Sequence, residues 1–506
     1  MKLGELLSDV ALRRPLTPEL VRVSVEGLEY DSRRVEPGYL FFAFPGSRAD
    51  GRQFAAAALD RGAVAIVSEA EAPDKGLEPR WIQAEHGRQA LALAARQFYG
   101  RPDERLGLTG ITGTNGKTTT AYLVDSILQA AGSVTAMIGT IEYHLAGRVL
   151  KAANTTPESL DLMRIFAELE KEGGNRVTME VSSHALALGR VYGLQFHTTV
   201  FTNLTRDHLD FHGTMDAYFA AKQSLFAGAG GPPPAYAVIN RDDAYGREIK
   251  LRPKTRVIRY GLGTEADLRA RHISTGMQGL RFEVQCGKTR FGVESPLIGR
   301  INVYNILAAC GVGLSYDITP ETIARGVASL KAVPGRFERV DEGQPFTVVV
   351  DYAHTDDALR NVIAVARGLN PKRIITLFGC GGDRDRSKRP LMGQAAAEAS
   401  DFVVLTSDNP RSEDPLAIMN DALVGIRRCD VPHVVEPDRA AAIARALKEA
   451  REGDIVILAG KGHETYQVLK DKTIAFDDRE VAREVLRGYG YHKGGVTSRG
   501  PGAKDL

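Results

Sequence analysis

Short apolar runs alternate with amphipathic stretches along the chain in a pattern typical of an α/β protein. In the first hundred residues, apolar runs at 40–44 and 63–67 predict buried strands, and the alanines at 55–58 predict a helix between them. Further apolar runs in the middle of the chain predict strands at 106–112, 176–181 and 198–202.

The last third of the chain repeats one unit, in which an apolar run is followed by a polar loop and an alanine-rich helical stretch. The apolar runs lie at 347–350, 373–378, 402–406 and 455–459. The loops that follow them have the sequences DYAH, GCGGDRDR, SDNPR and GKGHE. This alternation predicts a doubly wound parallel sheet, in which ligands bind beyond the carboxyl ends of the strands. We therefore expect the four loops to meet at one ligand-binding edge.

A glycine-rich turn between a predicted strand and a predicted helix is the strongest chemical signal. Residues 110–119 have the sequence GITGTNGKTT, and the apolar positions 124, 127, 128 and 131 that follow have helical spacing. Backbone N–H groups of such a turn can cradle phosphate oxygens, Lys117 would reach the β- and γ-phosphates, and the Thr118 hydroxyl suits Mg²⁺. The common Walker spacing would place glycine at position 111, where the chain has isoleucine, so the motif is a shorter variant.

Chain length and turn residues predict three domains. The 506 residues suggest about three units of roughly 150 residues each. We predict an α/β protein with an N-terminal domain over 1–102, a central domain over 103–333 with a parallel sheet of the P-loop ATPase type, and a C-terminal domain over 334–492 with a Rossmann-like doubly wound sheet. Residues 493–506, KGGVTSRGPGAKDL, are predicted to form a disordered tail.

Composition narrows the class of protein. Lys and Arg total 65 against 63 Asp and Glu, so no basic excess points to nucleic acid. The four cysteines lie far apart without a CxxC pair, which argues against a disulfide framework and a cysteine zinc site. The N-terminus lacks the apolar run of a signal peptide, and no run of about 18 apolar residues occurs. We expect a cytoplasmic protein that binds no nucleic acid and does not insert into a membrane.

Three ionisable residues of the central domain have candidate chemistry, and each also has an ordinary structural explanation. Glu180 ends a predicted strand and could supply a hard oxygen ligand to Mg²⁺. A lone histidine such as His208 is more often a satisfied core or surface residue than a metal ligand. Lys222 follows AYFAA in a predicted helix, where a lysine usually lies on the solvated face. The sequence pattern alone leaves these alternatives open.

The loop Asp408-Asn409-Pro410-Arg411 has the chemistry to bind an amino acid that carries both charges. An aspartate can bind an ammonium group, and an arginine can hold a carboxylate through a planar two-bond fork. An ordinary Asx-Pro turn is the alternative explanation.

Stretches in all three predicted domains resemble the Mur ligase family. The phosphate loop has the GTNGKTT form of that family and of its relatives, the folylpolyglutamate synthetases. Further stretches follow in family order: TMEVSSHAL (178–186), NLTRDHLDFHGTMDAYFAAK (203–222), INVYNILAA (301–309), PGRFERV (334–340), VDYAHTDDAL (350–359), GCGGDRDRSKRPLMG (379–393) and GKGHETYQ (460–467). The resemblance implies an ATP-dependent amide-bond ligase of peptidoglycan precursor synthesis.

The resemblance also implies an ATP site between the central and C-terminal domains, with Mg²⁺ as the cofactor. The ATP-binding residues would be Gly113, Thr114, Asn115, Gly116, Lys117, Thr118, Thr119, Asn305, Arg336 and Asp351. The Mg²⁺ ligands would be Thr118, Glu180, His208 and Lys222. Lys222 would be carbamylated, which converts a cationic amine into an anionic oxygen ligand.

The other two substrates are assigned by the same resemblance. A UDP-N-acetylmuramoyl-dipeptide would bind Ser32, Ser47, Arg48, Ala49, Asn154, Thr155, Thr156, Ser182 and Arg190. Meso-diaminopimelate would bind Arg389, Asp408, Asn409, Pro410, Arg411, Gly460 and Glu464. The DNPR form resembles the family members that add diaminopimelate, because the lysine-adding members lack this arginine.

These implications describe one expected reaction. ATP phosphorylates the side-chain carboxylate of D-Glu in UDP-N-acetylmuramoyl-L-alanyl-D-glutamate, and an amine of diaminopimelate attacks the acyl phosphate. The protein, expected to be a monomer, would act by positioning and charge stabilisation, with its domains closing around the substrates. A folylpolyglutamate synthetase, another Mur ligase and a nucleotide-binding scaffold with a dead site are the alternatives.

Overall fold

The structure is a computed structural model that describes residues 1–46 and 49–492. The predictions for Ser47, for Arg48 and for the tail at 493–506 lie outside the described residues.

The N-terminal part is a small parallel sheet with the strand order β1-β2-β3-β4. Its strands are β1 (Gly27–Glu29), β2 (Tyr39–Phe42), β3 (Ala65–Ser68) and β4 (Trp81–Gln83), and its helices are α1 (Leu3–Leu6), α2 (Pro18–Arg22), α3 (Ala55–Asp60) and α4 (Gly87–Phe98). The two predicted strands and the predicted helix are present as β2, β3 and α3. Sequence reasoning missed β1 and β4, because a three-residue strand is too short to display an alternating pattern.

The central sheet is parallel in its middle, as predicted, and antiparallel at both edges. Its strands are β5 (Gly107–Thr112), β6 (Thr135–Ile138), β7 (Glu142–Leu145), β8 (Arg148–Lys151), β9 (Arg176–Glu180), β10 (Thr198–Phe201), β11 (Tyr236–Asn240), β12 (Arg256–Gly261), β13 (Leu268–Gly276), β14 (Gly279–Cys286) and β15 (Thr289–Ser295). Its helices are α5 (Lys117–Ala130), α6 (Ser159–Lys171), α7 (Ser183–Ala187), α8 (Leu209–His212), α9 (Met215–Phe226), α10 (Ala244–Glu248), α11 (Ile301–Ser315) and α12 (Pro320–Ser329).

The strand order of this sheet puts the phosphate loop at its centre. The order is β15-β14-β13-β12-β11-β10-β5-β9-β6-β7-β8, and β5 pairs in parallel with β9 and β10. The antiparallel hairpins β7–β8 and β13–β15 were not predicted. Many of their residues face solvent and are charged, so they lack the continuous apolar runs that mark the buried parallel strands.

The C-terminal sheet is doubly wound, as predicted, with the order β16-β17-β21-β18-β19-β20. Its strands are β16 (Glu338–Val340), β17 (Thr347–Asp351), β18 (Ile374–Cys380), β19 (Phe402–Ser407), β20 (His433–Glu436) and β21 (Ile455–Ala459), and a separate hairpin follows with β22 (Tyr466–Val468) and β23 (Thr473–Ala475). The helices are α13 (Asp356–Arg367), α14 (Lys388–Ala399), α15 (Pro415–Ile426), α16 (Arg439–Glu449) and α17 (Asp478–Gly488).

Two cores cover the two faces of the C-terminal sheet. Side chains of α13, α14 and α15 pack on one face, and those of α16 and α17 pack on the other. Because β17, β21, β18 and β19 are mutually parallel, the four polar loops that follow them leave the same edge of the sheet. This arrangement confirms that the four loops meet at one edge of a doubly wound sheet, and ligand binding at that edge stays a prediction.

The three large sheets occupy residues 27–83, 107–295 and 338–459 in turn, and the β22–β23 hairpin follows them. The predicted domain boundaries after residues 102 and 333 stay predictions, and both fall between sheets. Among the described helices, none combines the length and the apolar character needed to cross a membrane.

Candidate active site

The phosphate loop leaves β5 at Thr112 and enters α5 at Lys117. Gly113 and Gly116 have φ angles of 151° and 85°, a conformation that favours glycine. A Cβ atom at Gly113 would collide with the Thr202 hydroxyl, and one at Gly116 would collide with the amide oxygen of Asn305. Glycine at these two positions therefore permits both the backbone conformation of the turn and the close approach of Thr202 and Asn305.

Lys117 and Lys222 converge on the carbonyl oxygen of Gly113. Lys117 Nζ donates to this oxygen at 3.0 Å and to the Thr114 carbonyl at 2.9 Å, and Lys222 Nζ donates to Gly113 at 2.9 Å. Burial lowers the pKa of both lysines. The Lys117 ammonium lowers the pKa of Lys222 further, and the charge of Asp207 opposes the shift in both. Lys222 is only 1% exposed, which excludes the solvated-face explanation. Its neighbours on the buried face of α9, Tyr218, Leu225 and Phe226, have the helical spacing that could have signalled this burial.

Glu180 is held by a residue that sequence reasoning missed. Its carboxylate is 1% exposed, and Thr140 donates its backbone N–H to Oε1 at 2.9 Å and its hydroxyl to Oε2 at 3.1 Å. Thr140 follows β6, a strand that pairs with the strand of Glu180. The two oxygens of Glu180 thus have fixed positions at the wall of the central cavity described below.

His208 lies beside a buried ion pair between the central and C-terminal domains. Asp207 pairs with Lys388 at the start of α14, and His208 Nε2 lies 3.4 Å from Asp207. Burial lowers the pKa of His208, which favours the neutral imidazole that a metal ligand requires. Although burial acts in the opposite direction, the paired ammonium of Lys388 holds the pKa of Asp207 below its usual value.

Of the predicted nucleotide residues of the C-terminal domain, Arg336 contacts Thr118 across the domain interface, and Asp351 lines the cavity beside it. Arg336 donates to the Thr118 hydroxyl at 3.2 Å, and its guanidinium stacks over Tyr352 at 4.6 Å. Asp351 accepts the backbone N–H groups of Phe337 and Ala353. These contacts place Arg336 next to the hydroxyl that was predicted to hold Mg²⁺.

A second bridge between these domains was missed by sequence reasoning. Asp357, in the first turn of α13, accepts hydrogen bonds from Asn115 at 2.8 Å and from Thr205 at 3.1 Å. Asn305 of α11 faces the same loop. Its side-chain Nδ2 donates to Asn302, one turn earlier in α11, at 2.9 Å. The interface thus ties the tip of the phosphate loop to the C-terminal domain.

The loop at Asn154, Thr155 and Thr156 is pinned to the central sheet. The Tyr143 hydroxyl donates to the Asn154 carbonyl at 2.5 Å, and the Thr156 hydroxyl donates to the carbonyl of Glu180 at 2.8 Å. The backbone N–H of Ser182 donates to the Thr156 hydroxyl at 3.1 Å. The predicted substrate residues Thr156 and Ser182 are therefore bonded to each other.

Two arginines from different domains converge on Glu158 beside this loop. Arg190 donates to Glu158 at 3.0 Å and to the Thr156 carbonyl at 2.9 Å, while Arg88 of α4 donates to Glu158 at 2.7 Å. The Arg88 guanidinium also lies over the Phe44 ring at 4.4 Å. Arg88 and Glu158 were missed, although Glu158 directly follows the predicted NTTP loop.

One cavity of about 960 Å³ joins these elements from all three domains, and it is the central cavity of the site. Predicted residues on its described wall are Thr114, Asn115, Gly116, Lys117, Thr118, Thr119, Asn154, Thr155, Thr156, Glu180, Ser182, Arg190, His208, Asn305, Arg336 and Asp351. Side chains that were not predicted form an apolar end of the cavity: Ile298, Ile301, Phe337, Val362 and Val365. The predicted residues Gly113, Ser32, Ala49 and Lys222 are not on the described wall, although Gly113 belongs to the phosphate loop and Lys222 donates to its carbonyl oxygen.

The described residues hold no group of three His, Cys, Asp or Glu side chains arranged to bind a metal by themselves. The hard oxygen donors on the described wall include the predicted Mg²⁺ ligands, the Glu180 carboxylate and the Thr118 hydroxyl. This set fits Mg²⁺, which commonly takes one or two carboxylates together with substrate phosphates.

The predicted diaminopimelate residues lie outside that wall. Arg389 belongs to α14, and the others lie in the loops after β19 and β21. Asn409 Nδ2 donates to Glu464 at 2.9 Å, and the fully buried Lys461 donates to Asn409 at 3.2 Å and to Glu464 at 3.1 Å. Asp408 Oδ1 is buried without a hydrogen-bond partner, 3.5 Å from Lys461 Nζ. Gly460 packs closely on Asp408, since a Cβ atom there would lie 3.2 Å from Oδ2. Sequence reasoning missed Lys461.

Two predicted arginines, Arg389 and Arg411, lie near these loops. Arg389 is 1% exposed, pairs with Glu413 at 2.7 Å and Asp421 at 3.0 Å, and leaves its Nε buried without a partner. Arg411 follows Pro410, has a φ of 52° and donates to the Gly382 carbonyl at 2.5 Å. A Cβ atom at Gly381 would lie 3.1 Å from Arg411 and 3.8 Å from Arg384, and Arg384 lines the central cavity. The loops therefore adjoin the cavity.

Comparisons with known proteins agree with this architecture. Family models match the chain as the Mur ligase middle domain over residues 111–313, the "Mur ligase, glutamate ligase domain" over 335–462 and the "Mur ligase family, catalytic domain" over 24–99.

Two curated relatives carry the name UDP-N-acetylmuramoyl-L-alanyl-D-glutamate–2,6-diaminopimelate ligase. The protein of Solibacter usitatus (strain Ellin6076) is 78% identical over 97% of this chain and 100% of its own length. The protein of Geobacillus thermodenitrificans (strain NG80-2) is 45% identical over 96% of this chain and 99% of its own length. A solved structure of an enzyme of the same name covers 97% of this chain and 99% of its own, with 33% identity and a TM-score of 0.69. The chain therefore belongs to the Mur ligase family.

Proposed function

We propose that this chain is an ATP-dependent ligase of peptidoglycan precursor synthesis, which joins meso-2,6-diaminopimelate to the D-Glu side-chain carboxylate of UDP-N-acetylmuramoyl-L-alanyl-D-glutamate. The observation that carries the proposal is the central cavity, where Lys117 of the phosphate loop and the Thr155 loop share one wall beside the loops of Asp408 and Arg411. The near-complete relatives named for this reaction support it.

ATP would lie between the central and C-terminal domains. The phosphate loop from Gly113 to Thr119 would hold its phosphates, Arg336 and Asp351 would hold the nucleotide from the other domain, and Asn305 would line the same site. The apolar end of the cavity offers a slot for the adenine ring. Mg²⁺, held by Thr118, Glu180, His208 and carbamylated Lys222, would neutralise charge on the transferred phosphoryl group.

The chain's own residues would position the first step, in which the D-Glu carboxylate oxygen attacks the γ-phosphorus and ADP leaves. The UDP-linked substrate would extend from the N-terminal domain to Asn154, Thr155, Thr156, Ser182 and Arg190. Ser32, Ala49, Ser47 and Arg48 would bind its nucleotide end. Lys117 and Arg336 would stabilise the negative charge that develops between the two substrates.

Diaminopimelate would approach from the C-terminal loops for the second step. Its amine attacks the acyl-phosphate carbon, inorganic phosphate leaves, and the amine loses a proton to solvent or phosphate. Arg389 and Arg411 would hold the distal carboxylate, while Asp408, Asn409 and Glu464 would bind the distal ammonium, with Pro410 and Gly460 shaping the pocket. The buried, unpartnered Arg389 Nε and Asp408 Oδ1 support such a ligand with both charges.

We also propose the three-domain division at residues 102 and 333, monomeric action and a cytoplasmic site of action, where ATP and nucleotide-linked precursors are available. A folylpolyglutamate synthetase is disfavoured, because the 78% identical relative spans the N-terminal domain as well as the rest of the chain. A dead scaffold is disfavoured by the intact Lys117, Glu180, His208 and Lys222 set.

Phosphate release from ATP tests the proposal. We expect release that depends on both the UDP-linked dipeptide and diaminopimelate, with far weaker release on lysine or ornithine. Lys117→Ala should abolish release in a protein whose melting temperature is unchanged, because the loop loses the charge that faces the transferred phosphoryl group. Preference of the wild type for lysine would overturn the assignment of the amino acid, and release by the Lys117→Ala variant within a few-fold of wild type would overturn that of the ATP site.

A further inference from the structure

Thr140 lies between two parts of the site that are far apart in the sequence. It holds both oxygens of Glu180, through its backbone N–H at 2.9 Å and its hydroxyl at 3.1 Å. The same hydroxyl oxygen lies 3.1 Å from the hydroxyl oxygen of Thr155 in the substrate loop. Thr140, Thr155 and Glu180 all line the central cavity.

The chemistry of these three groups fixes the direction of the hydrogen bonds. A threonine hydroxyl has one hydrogen to donate, and a carboxylate can only accept. The hydrogen of Thr140 therefore points to Glu180, and Thr155 must donate its own hydrogen to the Thr140 oxygen. The Thr155 oxygen is then left with lone pairs alone, so it can accept a hydrogen bond from a ligand but cannot donate one.

The surroundings hold this chain of hydrogen bonds in one arrangement. Glu180 is almost fully buried, and its backbone carbonyl accepts the hydroxyl of Thr156, the neighbour of Thr155, at 2.8 Å. A Cβ atom at Gly139 would lie 2.6 Å from Glu180 Oε1, so the glycine next to Thr140 lets the carboxylate approach. The Glu180 end of these hydrogen bonds is thus fixed by burial and by Thr140, and the backbone beside Thr155 is held by the bond from Thr156.

We propose that Thr140 is a positioning residue that fixes Glu180 and converts Thr155 into a pure hydrogen-bond acceptor for an N–H group of the muramoyl-dipeptide. This inference rests on the proposed function, because that substrate supplies the N–H groups. It implies a requirement for substrate specificity, because a substrate must present a hydrogen-bond donor to the Thr155 oxygen. It also links the Glu180 carboxylate to substrate binding through one hydroxyl.

Calorimetric titration with the UDP-linked dipeptide, in the absence of ATP and Mg²⁺, tests the link without relying on turnover. We expect Thr140→Val to weaken binding about tenfold, since one hydroxyl of a fixed chain is lost, and Thr140→Ser to bind like the wild type. The double variant Thr140→Val, Thr155→Val should be no weaker than Thr155→Val alone, because Thr140 acts on the substrate only through the Thr155 hydroxyl, which Thr155→Val has already removed. Thr376→Val is the matched control, because this buried hydroxyl bonds Ser400 at 2.7 Å in the C-terminal sheet.

A second variant covers the case in which Thr140→Val does not fold. Gly139→Ala keeps both hydroxyls but displaces Glu180, so we expect it to raise the Mg²⁺ concentration needed for half-maximal phosphate release. Wild-type binding by Thr140→Val, loss of binding by Thr140→Ser, additive losses in the double variant, or an unchanged Mg²⁺ requirement in Gly139→Ala would each overturn the role of Thr140. If the wild type itself fails to bind the dipeptide, the proposed function fails, and that result is distinct from these.

Discussion

At the scale of single residues, the site places lysine side chains where their charge is unfavourable. Lys222 is buried beside Lys117, and burial together with that second ammonium lowers its pKa well below the ordinary lysine value. A neutral amine is the form that reacts with carbon dioxide to give a carbamate. The environment of Lys222 thus favours the modification that the family resemblance implies.

Replacement of Lys222 tests that role. We expect Lys222→Ala to lose most ligase activity and to recover part of it in a high concentration of formate or acetate, because a small carboxylate can replace the missing anionic oxygen. The measurement is phosphate release over a series of Mg²⁺ and carboxylate concentrations. Lys254→Ala, at an exposed lysine, is the control. An unchanged rate and Mg²⁺ dependence in Lys222→Ala would show that no carbamate is needed.

Arg411 is the residue that we expect to determine the preference for diaminopimelate over lysine. Diaminopimelate and lysine differ mainly by the distal carboxylate, and an arginine left without that partner makes lysine a poor substrate. We expect the wild type to prefer diaminopimelate at least 100-fold, about 2.7 kcal/mol, and Arg411→Ala to bring the ratio of kcat/KM values toward unity. Steady-state kinetics with both amino acids at saturating ATP measures this ratio.

The Arg411 variant has an internal control. The KM values for ATP and for the UDP-linked dipeptide should hardly change, because their predicted residues lie on other loops. Arg411→Lys keeps the charge but loses the planar fork, so it should retain only part of the preference. If Arg411→Ala discriminates as well as the wild type, the distal carboxylate is recognised elsewhere.

At the scale of elements, helix α5 is tied to strand β7 by an ionisable cluster below the phosphate loop. His144 of β7 lies 3.6 Å from Asp125 of α5 and 2.8 Å from Glu142. The pKa of His144 is raised chiefly by Asp125, which is more deeply buried than the nearer Glu142, and burial of the ring opposes the shift. A raised folded-state pKa means that the cation stabilises the fold.

The sign of this shift predicts how stability depends on pH. The stabilisation is fully present below the unfolded-state pKa of about 6.5 and is lost as the pH rises through the folded-state pKa. We expect His144→Gln to melt about 2–4 °C below the wild type near pH 5.5, and this gap to shrink in alkaline buffer. Thermal unfolding of both proteins across that range is the measurement. Asp125→Asn should give the same trend, and a gap that grows with pH would contradict the assignment.

Some features of the site could be predicted from the sequence, and others could not. The phosphate loop was predictable because its glycines, Lys117 and Thr118 are neighbours in the chain. Thr140, Lys388 and Asp357 were not, because they reach their partners across 40, 181 and 242 residues of sequence. The roles assigned to the predicted side chains stay predictions, whereas the sheet that carries each loop is confirmed.

At the scale of the whole molecule, the central and C-terminal domains are joined by a few polar bridges around the cavity. Asp357 binds Asn115 and Thr205, Arg336 binds Thr118, and Asp207 pairs with Lys388. Each bridge has one member within a few residues of a predicted ATP or Mg²⁺ group. We therefore expect the position of the C-terminal domain to depend on the state of the phosphate loop.

The Asp207–Lys388 pair lets this coupling be tested. Its side chains are 8% and 15% exposed, so removal of Lys388 leaves a carboxylate buried and unpaired whenever the domains are together, at a cost of about 3–5 kcal/mol. The domains can avoid this cost by separating. We therefore expect Lys388→Met to lower kcat/KM for diaminopimelate at least tenfold and to enlarge the radius of gyration measured by small-angle X-ray scattering with an ATP analogue bound.

A double variant of the same pair is the control that tests whether the unpaired charge causes the effect. The double variant Asp207→Asn, Lys388→Met removes both charges, so it should return toward the compact form even if activity stays low, because no unpaired carboxylate remains. Arg360→Met breaks an exposed pair with Glu398 inside the C-terminal domain and should change neither quantity, since exposed pairs contribute little. If Lys388→Met stays as compact as the wild type and keeps its kcat/KM, the pair does not hold the domains together. Compaction lost in Lys388→Met and regained in the double variant would instead identify the buried charge itself as the cause.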